Sequence, residues 1–419
     1  MSGTPHTDAL PPTGTVVIVG AGLGGSLLAE QLRREGFTGT VHLVDGEPAS
    51  YDRPPLSKQL FTDGFDLDAI ALADAGRLAR LDVHARFGRR AVELDAAARS
   101  VLLDDGTVLA ADAVVLATGS RARPLAVPGA DEAGVLTLHM FPDALALRER
   151  AAEGARFLVV GGGMVGAELT SALVGAGVEV TLVVRTAPPL ALLLGDEMAT
   201  RLHAQHARHG VEVVEATVAE CYGSSHGTVA LLSDGSRRRV DAVIAAIGAH
   251  ARVRLGVWAG LDVDDGILVD AQHRTSAGGI YAVGDVARYR GTGAVRPPRR
   301  EHWEGAQRDA EDLARLLTGK EPLPPAAAWF WSERYGQRFE MAGRIAPEGR
   351  TILRDDARRP AALHVEDGRL VGVGVIDDPL AMHAARQVID AGDAVDERVL
   401  GDTGIPLRQA VQKARRDVS

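Results

Sequence analysis

The sequence predicts an α/β fold: two Rossmann-like units, each on a parallel sheet, followed by a smaller α+β unit at the C-terminal end. Two glycine-rich loops carry most of that expectation. Gly20-Ala21-Gly22-Leu23-Gly24-Gly25 follows the apolar run Thr15-Val16-Val17-Ile18-Val19, and Gly161-Gly162-Gly163-Met164-Val165-Gly166 follows Arg156-Phe157-Leu158-Val159-Val160. In this spacing the early glycines turn tightly and let the backbone approach a pyrophosphate at a helix N-terminus. The last glycine lets helix and strand pack closely. Gly20, Gly22 and Gly25 are therefore candidate dinucleotide contacts, as are Gly161, Gly163, Met164, Val165 and Gly166. Length is the third observation, because 419 residues exceed one typical core. Two such loops in one chain imply two dinucleotides, and the economical reading is a flavoprotein that passes electrons between them.

In chain order, residues 1–13, with Pro5, Pro11 and Pro12, read as a disordered leader. A βαβ unit follows, with strands at 15–19 and 41–44 and a helix at 26–35. Asp45 closes its second strand, where a carboxylate can accept ribose hydroxyls, and Glu47 competes for that role. Residues 82–90 and 91–101 each read as a short strand, and 113–119 as a buried strand running into a glycine turn. The second βαβ unit has its helix at 166–175 and its next strand at 179–184. A helix at 197–209, a hairpin turning at Asp234-Gly235 and a strand within 241–248 follow. Residues 279–285 form a strand ending in Gly284-Asp285, 301–317 a helix, and the proline-rich 321–325 a linker. Strands at 338–344, 361–365 and 370–376 belong to the last unit. The Gly-Asp strand suits the first domain, so the expected domains are 14–120 with 246–321, an inserted 121–245, and 322–419.

A formal net charge of −10 argues against a nucleic-acid surface. No uncharged apolar run reaches membrane-spanning length and the N-terminus has no secretion-signal pattern, so the cytoplasm is the expected compartment. Cys221 is the single cysteine, which excludes internal disulfides, a four-thiolate metal centre and an internal redox dithiol. Lysine occurs only as Lys58, Lys320 and Lys413 amid abundant arginine, which draws attention to Lys58. His203, His206 and His209 are spaced three apart, but no cysteine or carboxylate in matching register accompanies them beyond Glu197. They read as a solvated helix face, with no metal.

Four stretches complete the pattern: Tyr51-Asp52-Arg53-Pro54-Pro55-Leu56-Ser57-Lys58, Ala117-Thr118-Gly119-Ser120-Arg121, Tyr281-Ala282-Val283-Gly284-Asp285-Val286-Ala287 and Trp329-Phe330-Trp331-Ser332. With the two loops, they resemble the FAD-dependent, NAD(P)H-using ferredoxin reductases of bacterial oxygenase systems, in the glutathione-reductase-like flavoprotein superfamily. The resemblance implies FAD and a pyridine nucleotide as cofactors, an acidic iron–sulfur ferredoxin as partner, a C-terminal interface domain, and a monomer or weak homodimer. It implies that Lys58 lies by the flavin ring and pairs with Glu168, which faces the nicotinamide. A cation there stabilises the negative charge of reduced flavin. It also implies FAD contacts from Arg53, Val92, the backbone of Ala117, Thr118 and Gly119, Asp285 and Trp303, and a nicotinamide-side turn at Gly248. The Pro54–Lys58 segment stands where a disulfide reductase of the superfamily carries its redox cysteines, and its lack of thiols fits single-electron delivery to an external acceptor.

Two positions depart from the family pattern. His139 stands where the family has an FAD-contacting arginine, and Ala251-Arg252 where Pro-Asn is common. A third feature bears on the coenzyme. Val183-Val184-Arg185-Thr186 places no carboxylate at the strand end to repel a 2′-phosphate, while Arg185 can pair with one, so NADPH is expected over NADH. Two rival readings stay open: a flavin enzyme acting directly on a small molecule, oxygen or a quinone, and an NAD(P)H-responsive flavoprotein that binds a protein partner without turnover. For a ferredoxin, Arg288, Arg290, Arg296, Arg299 and Arg300 form the expected basic docking patch.

Overall fold

The computed structural model describes residues 8–224, 227–291, 296–345, 349–356 and 359–416. The chain divides into two compact units. One comprises Met1–Asp52, Gly64–Arg121 and Ala249–Pro324, the other Arg53–Asp63, Ala122–Gly248 and Pro325–Ser419.

In the first unit the β-branched run forms strand Thr15–Val19 at the centre of a five-stranded parallel sheet. Its order is Ile280–Ala282, Ala113–Leu116, Thr15–Val19, Thr40–Asp45, Val83–Phe87. Val17 lies opposite Val114 on one side and His42 on the other. Val16, Val17 and Ile18 are fully buried, as a parallel strand covered on both faces requires. Helix Leu23–Arg34 buries Leu28 and Leu32 in one core with Leu313 and Leu317 of helix Trp303–Leu317.

Two expectations are corrected in this unit. Residues 91–101 are a hairpin, with Ala91–Asp95 antiparallel to Ser100–Leu103. The Asp95 carboxylate accepts the Ala98 amide at 2.8 Å, closing a tight turn that the alternating pattern hides. Of the expected disordered leader, residues 1–7 lie outside the described residues, but the chain is anchored from Asp8 onward. The Leu10 amide donates to Leu317 O at 2.9 Å. The Asp8 carboxylate accepts the Tyr281 hydroxyl at 3.0 Å and is paired with Arg274.

The second unit repeats the parallel pattern in the order Leu136–Thr137, Ala242–Ala245, Arg156–Val160, Glu179–Val184, Glu212–Glu215. Its C-terminal part is an antiparallel sheet with the order Trp329–Arg334, Gln337–Gly343, Arg369–Ile376, Ala361–Glu366, Arg350–Arg354. Helices Pro379–Ala391 and Leu407–Ala414 supply Ala385, Val388 and Val411 to its core. On another core, Leu194, Met198 and Leu202 pack with Phe330, Phe339 and Met341, so residues of the expected 322–419 domain share a core with those of 121–245.

That packing also corrects the solvated histidine face. His206, on helix Asp196–Arg208, is fully buried, its Nδ1 2.7 Å from the Tyr335 hydroxyl. His209 stacks on the same ring at 4.0 Å. Burial pushes His206 down to about 3. Among the described residues no cluster of histidine, cysteine or carboxylate could hold a metal, and no helix is long and apolar enough to cross a membrane.

Candidate functional site

The two glycine loops have the same construction. Helices Leu23–Arg34 and Met164–Gly175 start at Gly22 and Gly163, with no side-chain cap and no acidic residue in the first turn. Their leading amides and positive dipole ends are left for an anion. Gly20 and Gly161 have φ of +110° and +108°, and Gly25 and Gly166 would drive a Cβ to within 1.8 and 2.0 Å of a loop carbonyl. The chain's own packing demands those four. Gly163 is different: at φ −67° its Cβ would meet nothing within 4 Å. The space there is open, and an uncapped cradle of this kind fits a dinucleotide pyrophosphate.

Around the first loop, Asp45 accepts the Ala21 amide at 2.6 Å and the Glu47 amide at 2.8 Å, so it ties the loop to the strand end. Glu47 accepts the Tyr51 hydroxyl. The Thr118 hydroxyl donates to Arg252 O at 2.9 Å, and Gly119 O accepts the Arg252 amide at 2.9 Å. Asp285 accepts the Ser120 hydroxyl at 2.8 Å, and the Gly284 amide before it donates to the buried Asp309 at 3.0 Å. The Trp303 indole donates to Asp52 at 3.1 Å from the first turn of its helix. Val92 sits half-buried on the Ala91–Asp95 strand.

Four of the five arginines of the expected basic docking patch pair with carboxylates. Arg288 and Arg296 pair with Asp264 at 3.3 and 2.6 Å, and Arg290 with Asp262 at 2.9 Å. Arg299, only 5% exposed, pairs with Asp265 and Glu301 and donates to Asp285 O at 3.0 Å. Arg300 lies over the Tyr289 ring at 4.0 Å. Arg299 therefore braces the Asp285 turn.

In the second unit Lys58 and Glu168 meet. Glu168, on helix Met164–Gly175, is 3% exposed. One carboxylate oxygen accepts from Lys58 Nζ at 2.8 Å and Ser57 Oγ at 2.7 Å, the other from Ser332 Oγ at 2.8 Å. The ammonium also lies 5.6 Å from the Trp331 ring centre. Proline starts the short helix Pro55–Lys58, which presents Ser57 and Lys58 together. Ser57 and Ser332 sit inside stretches already singled out in the sequence, but only the fold shows that their hydroxyls converge on Glu168.

Elsewhere in this unit, Arg185 is exposed just beyond strand Glu179–Val184, and Val165 is exposed in the first turn of helix Met164–Gly175. Gly248, at φ +98°, accepts the Arg123 amide at 2.9 Å. The His139 amide donates to Asp143 at 2.9 Å. Arg53, half-buried, precedes the Pro55–Lys58 helix.

Residues 14–310 match the pyridine nucleotide-disulphide oxidoreductase family, and residues 329–411 match the reductase C-terminal family. The chain belongs to the pyridine nucleotide-disulphide oxidoreductases. Among members of known role, it is 35% identical to the ferredoxin reductase component of chlorobenzene dioxygenase from Cupriavidus sp. (strain PS12), over 96% of this chain and 98% of that relative. It is 33% identical to the ferredoxin--NAD(+) reductase subunit of the benzene 1,2-dioxygenase system of Pseudomonas putida, over 95% and 97%. The solved covalent putidaredoxin reductase–putidaredoxin complex superposes with a TM-score of 0.90 at 30% identity, covering 96% of this chain and 99% of that one. The family name refers to disulphides, yet this member's one thiol, Cys221, is buried, and burial pushes it up, away from the reactive thiolate.

Proposed function

We propose that the chain is an FAD-containing, NAD(P)H-dependent ferredoxin reductase that takes hydride from the coenzyme and passes single electrons to an acidic iron–sulfur ferredoxin serving an oxygenase. The observation that carries this reading is the combination of two uncapped glycine-loop helices with the Lys58–Glu168 pair, in a chain that has no second thiol. Relatives named as ferredoxin reductase components over nearly their full length support the choice of acceptor. FAD, when bound, accepts two electrons as hydride and releases them one at a time.

The residues do the rest. The first loop and Gly22 cradle the FAD pyrophosphate, Asp45 or its competitor Glu47 supplies the ribose acceptor, and Asp285, braced by Ser120 and Arg299, holds the ribityl side. Val92, Trp303 and the Ala117–Gly119 backbone add further FAD contacts. The second loop and Gly248 hold the nicotinamide coenzyme. Lys58 supplies positive charge to the reduced flavin, and Glu168, with Ser57 and Ser332, fixes the lysine in place. Outer-sphere electron transfer needs no nucleophile and no general acid. NADPH is the preferred coenzyme in this reading, supported by exposed Arg185 after Val184, and the NAD(+) in a relative's name makes it the first point to test. We place the enzyme in the cytoplasm with a diffusible carrier.

Purified protein, NAD(P)H and a two-iron ferredoxin should together reduce cytochrome c, and omission of the ferredoxin should abolish most of the rate. Equal turnover with oxygen or a quinone, and none through the ferredoxin, would overturn the reading in favour of a direct oxidoreductase.

A further inference from the structure

A lysine bonded at 2.8 Å to a carboxylate is an electrically neutral pair, and its field falls off faster with distance than that of a single charge. Taken alone, Lys58–Glu168 offers a reduced flavin little net positive potential. A second cation acts electrostatically on Glu168. Strand Trp329–Arg334 turns Phe330, Ser332 and Arg334 to its buried face, and Ser332 already bonds Glu168. Arg334, two residues further on that face, is 4% exposed. Its Nε and Nη2 are buried with no hydrogen-bond partner among the described residues, so the guanidinium is not spent on another acceptor through those atoms.

The electrostatics agree. Burial pushes the Arg334 guanidinium down to about 10, and the Glu168 carboxylate opposes that push. The other titratable groups acting on it carry no compensating charge. His203 and His206 are held neutral by burial, and the Tyr335 phenol is pushed up by burial. Two buried or nearly buried cations therefore act on one carboxylate, Lys58 by a direct ion pair and Arg334 through its field, and the three charges sum to one positive unit. A buried cation is costly unless something compensates it, and removing one partner of such a cluster exposes the others' charge.

We propose that Arg334 is a positioning residue for Lys58: it offsets the charge of Glu168, so that the positive charge of Lys58 remains available to reduced FAD. This rests on the role given to Lys58 above. The positive potential at the flavin then depends on three charges acting together, and Glu168 can clamp the lysine without cancelling it.

The test is the midpoint potential of bound FAD, measured by dye equilibration in the holoprotein. Arg334→Gln and Lys58→Met should both lower it, each by about a tenfold shift in the reduction equilibrium, about 30 mV for a two-electron couple. Arg334→Lys should stay near wild type. The double variant Arg334→Gln with Glu168→Gln should return toward wild type, because it removes one charge of each sign; a merely structural arginine would give no such recovery. A wild-type potential in Arg334→Gln beside a lowered one in Lys58→Met overturns the proposal and leaves Lys58 in its role. No shift in either overturns both. If Arg334→Gln does not fold, Arg334→Met, which fills the buried space without leaving a polar group there, decides in its place: it should lower the potential, and an unchanged value overturns the proposal.

Discussion

Gly163→Ala and Gly25→Ala separate what the coenzyme requires from what the chain requires. At Gly25 an added Cβ would sit 1.8 Å from Gly20 O, a backbone atom that cannot swing away. Overpacking of that kind costs about 3 kcal/mol or more, and at 2–4 °C per kcal/mol it lowers Tm by roughly 10 °C. At Gly163 the backbone, with φ −67° and ψ −172°, suits alanine, and the new methyl meets nothing within 4 Å. Replacing glycine with alanine at an N-cap costs at most about 1 kcal/mol, so Tm should fall by only a few degrees. A pyrophosphate brought against that backbone would lose one charge-assisted amide hydrogen bond, about 1.5–3 kcal/mol. This weakens coenzyme binding by roughly 10- to 100-fold. Thermal unfolding, flavin content and the coenzyme concentration dependence of stopped-flow flavin reduction measure the three effects separately. Gly163→Ala should keep its flavin and its Tm while coenzyme affinity drops. Unchanged affinity, or a Tm as low as that of Gly25→Ala, would refute the argument that this glycine clears space for a ligand.

Arg185→Glu should weaken NADPH and spare or improve NADH in steady-state assays, and equal losses with both coenzymes would show that Arg185 does not meet the 2′-phosphate. His206, held near 3 in the fold against about 6.5 when unfolded, lets the unfolded chain take up the proton first, so stability should fall as pH drops below about 6.5. Calorimetry of His206→Gln between pH 7.5 and 5 should show a flatter decline than wild type, and parallel curves would rule out this histidine as a source. Arg299→Glu should reduce flavin retention and slow ferricyanide and ferredoxin reduction alike, because Arg299 braces Asp285. Loss confined to ferredoxin would restore its reading as a docking residue.

The features legible in the sequence are those fixed by backbone geometry. A loop that turns back on its own carbonyls has to use glycine, so Gly20, Gly25, Gly161 and Gly166 declare themselves, and the β-branched runs before them mark the buried parallel strands. Side-chain electrostatics are a different matter, because a charge counts only after its neighbours in space are known. The arginines from 288 to 300 look like a basic run, yet Asp262, Asp264 and Asp265, more than twenty residues earlier, cancel much of it. His203 and His206 look like a wet helix face because nothing near them in sequence announces Tyr335 and Arg334. Lys58 and Glu168 were within reach because they sit in recognisable stretches, but Ser332 and Arg334 come from a strand of the C-terminal sheet. Arg334 carries no signal at all, since a buried arginine is rare and an exposed one common. In the proposal above, the charges acting at Glu168 sum to one positive unit instead of zero because of one residue that no motif contains. That is why the potential of the bound flavin, rather than a further sequence pattern, is the quantity that decides how this site works.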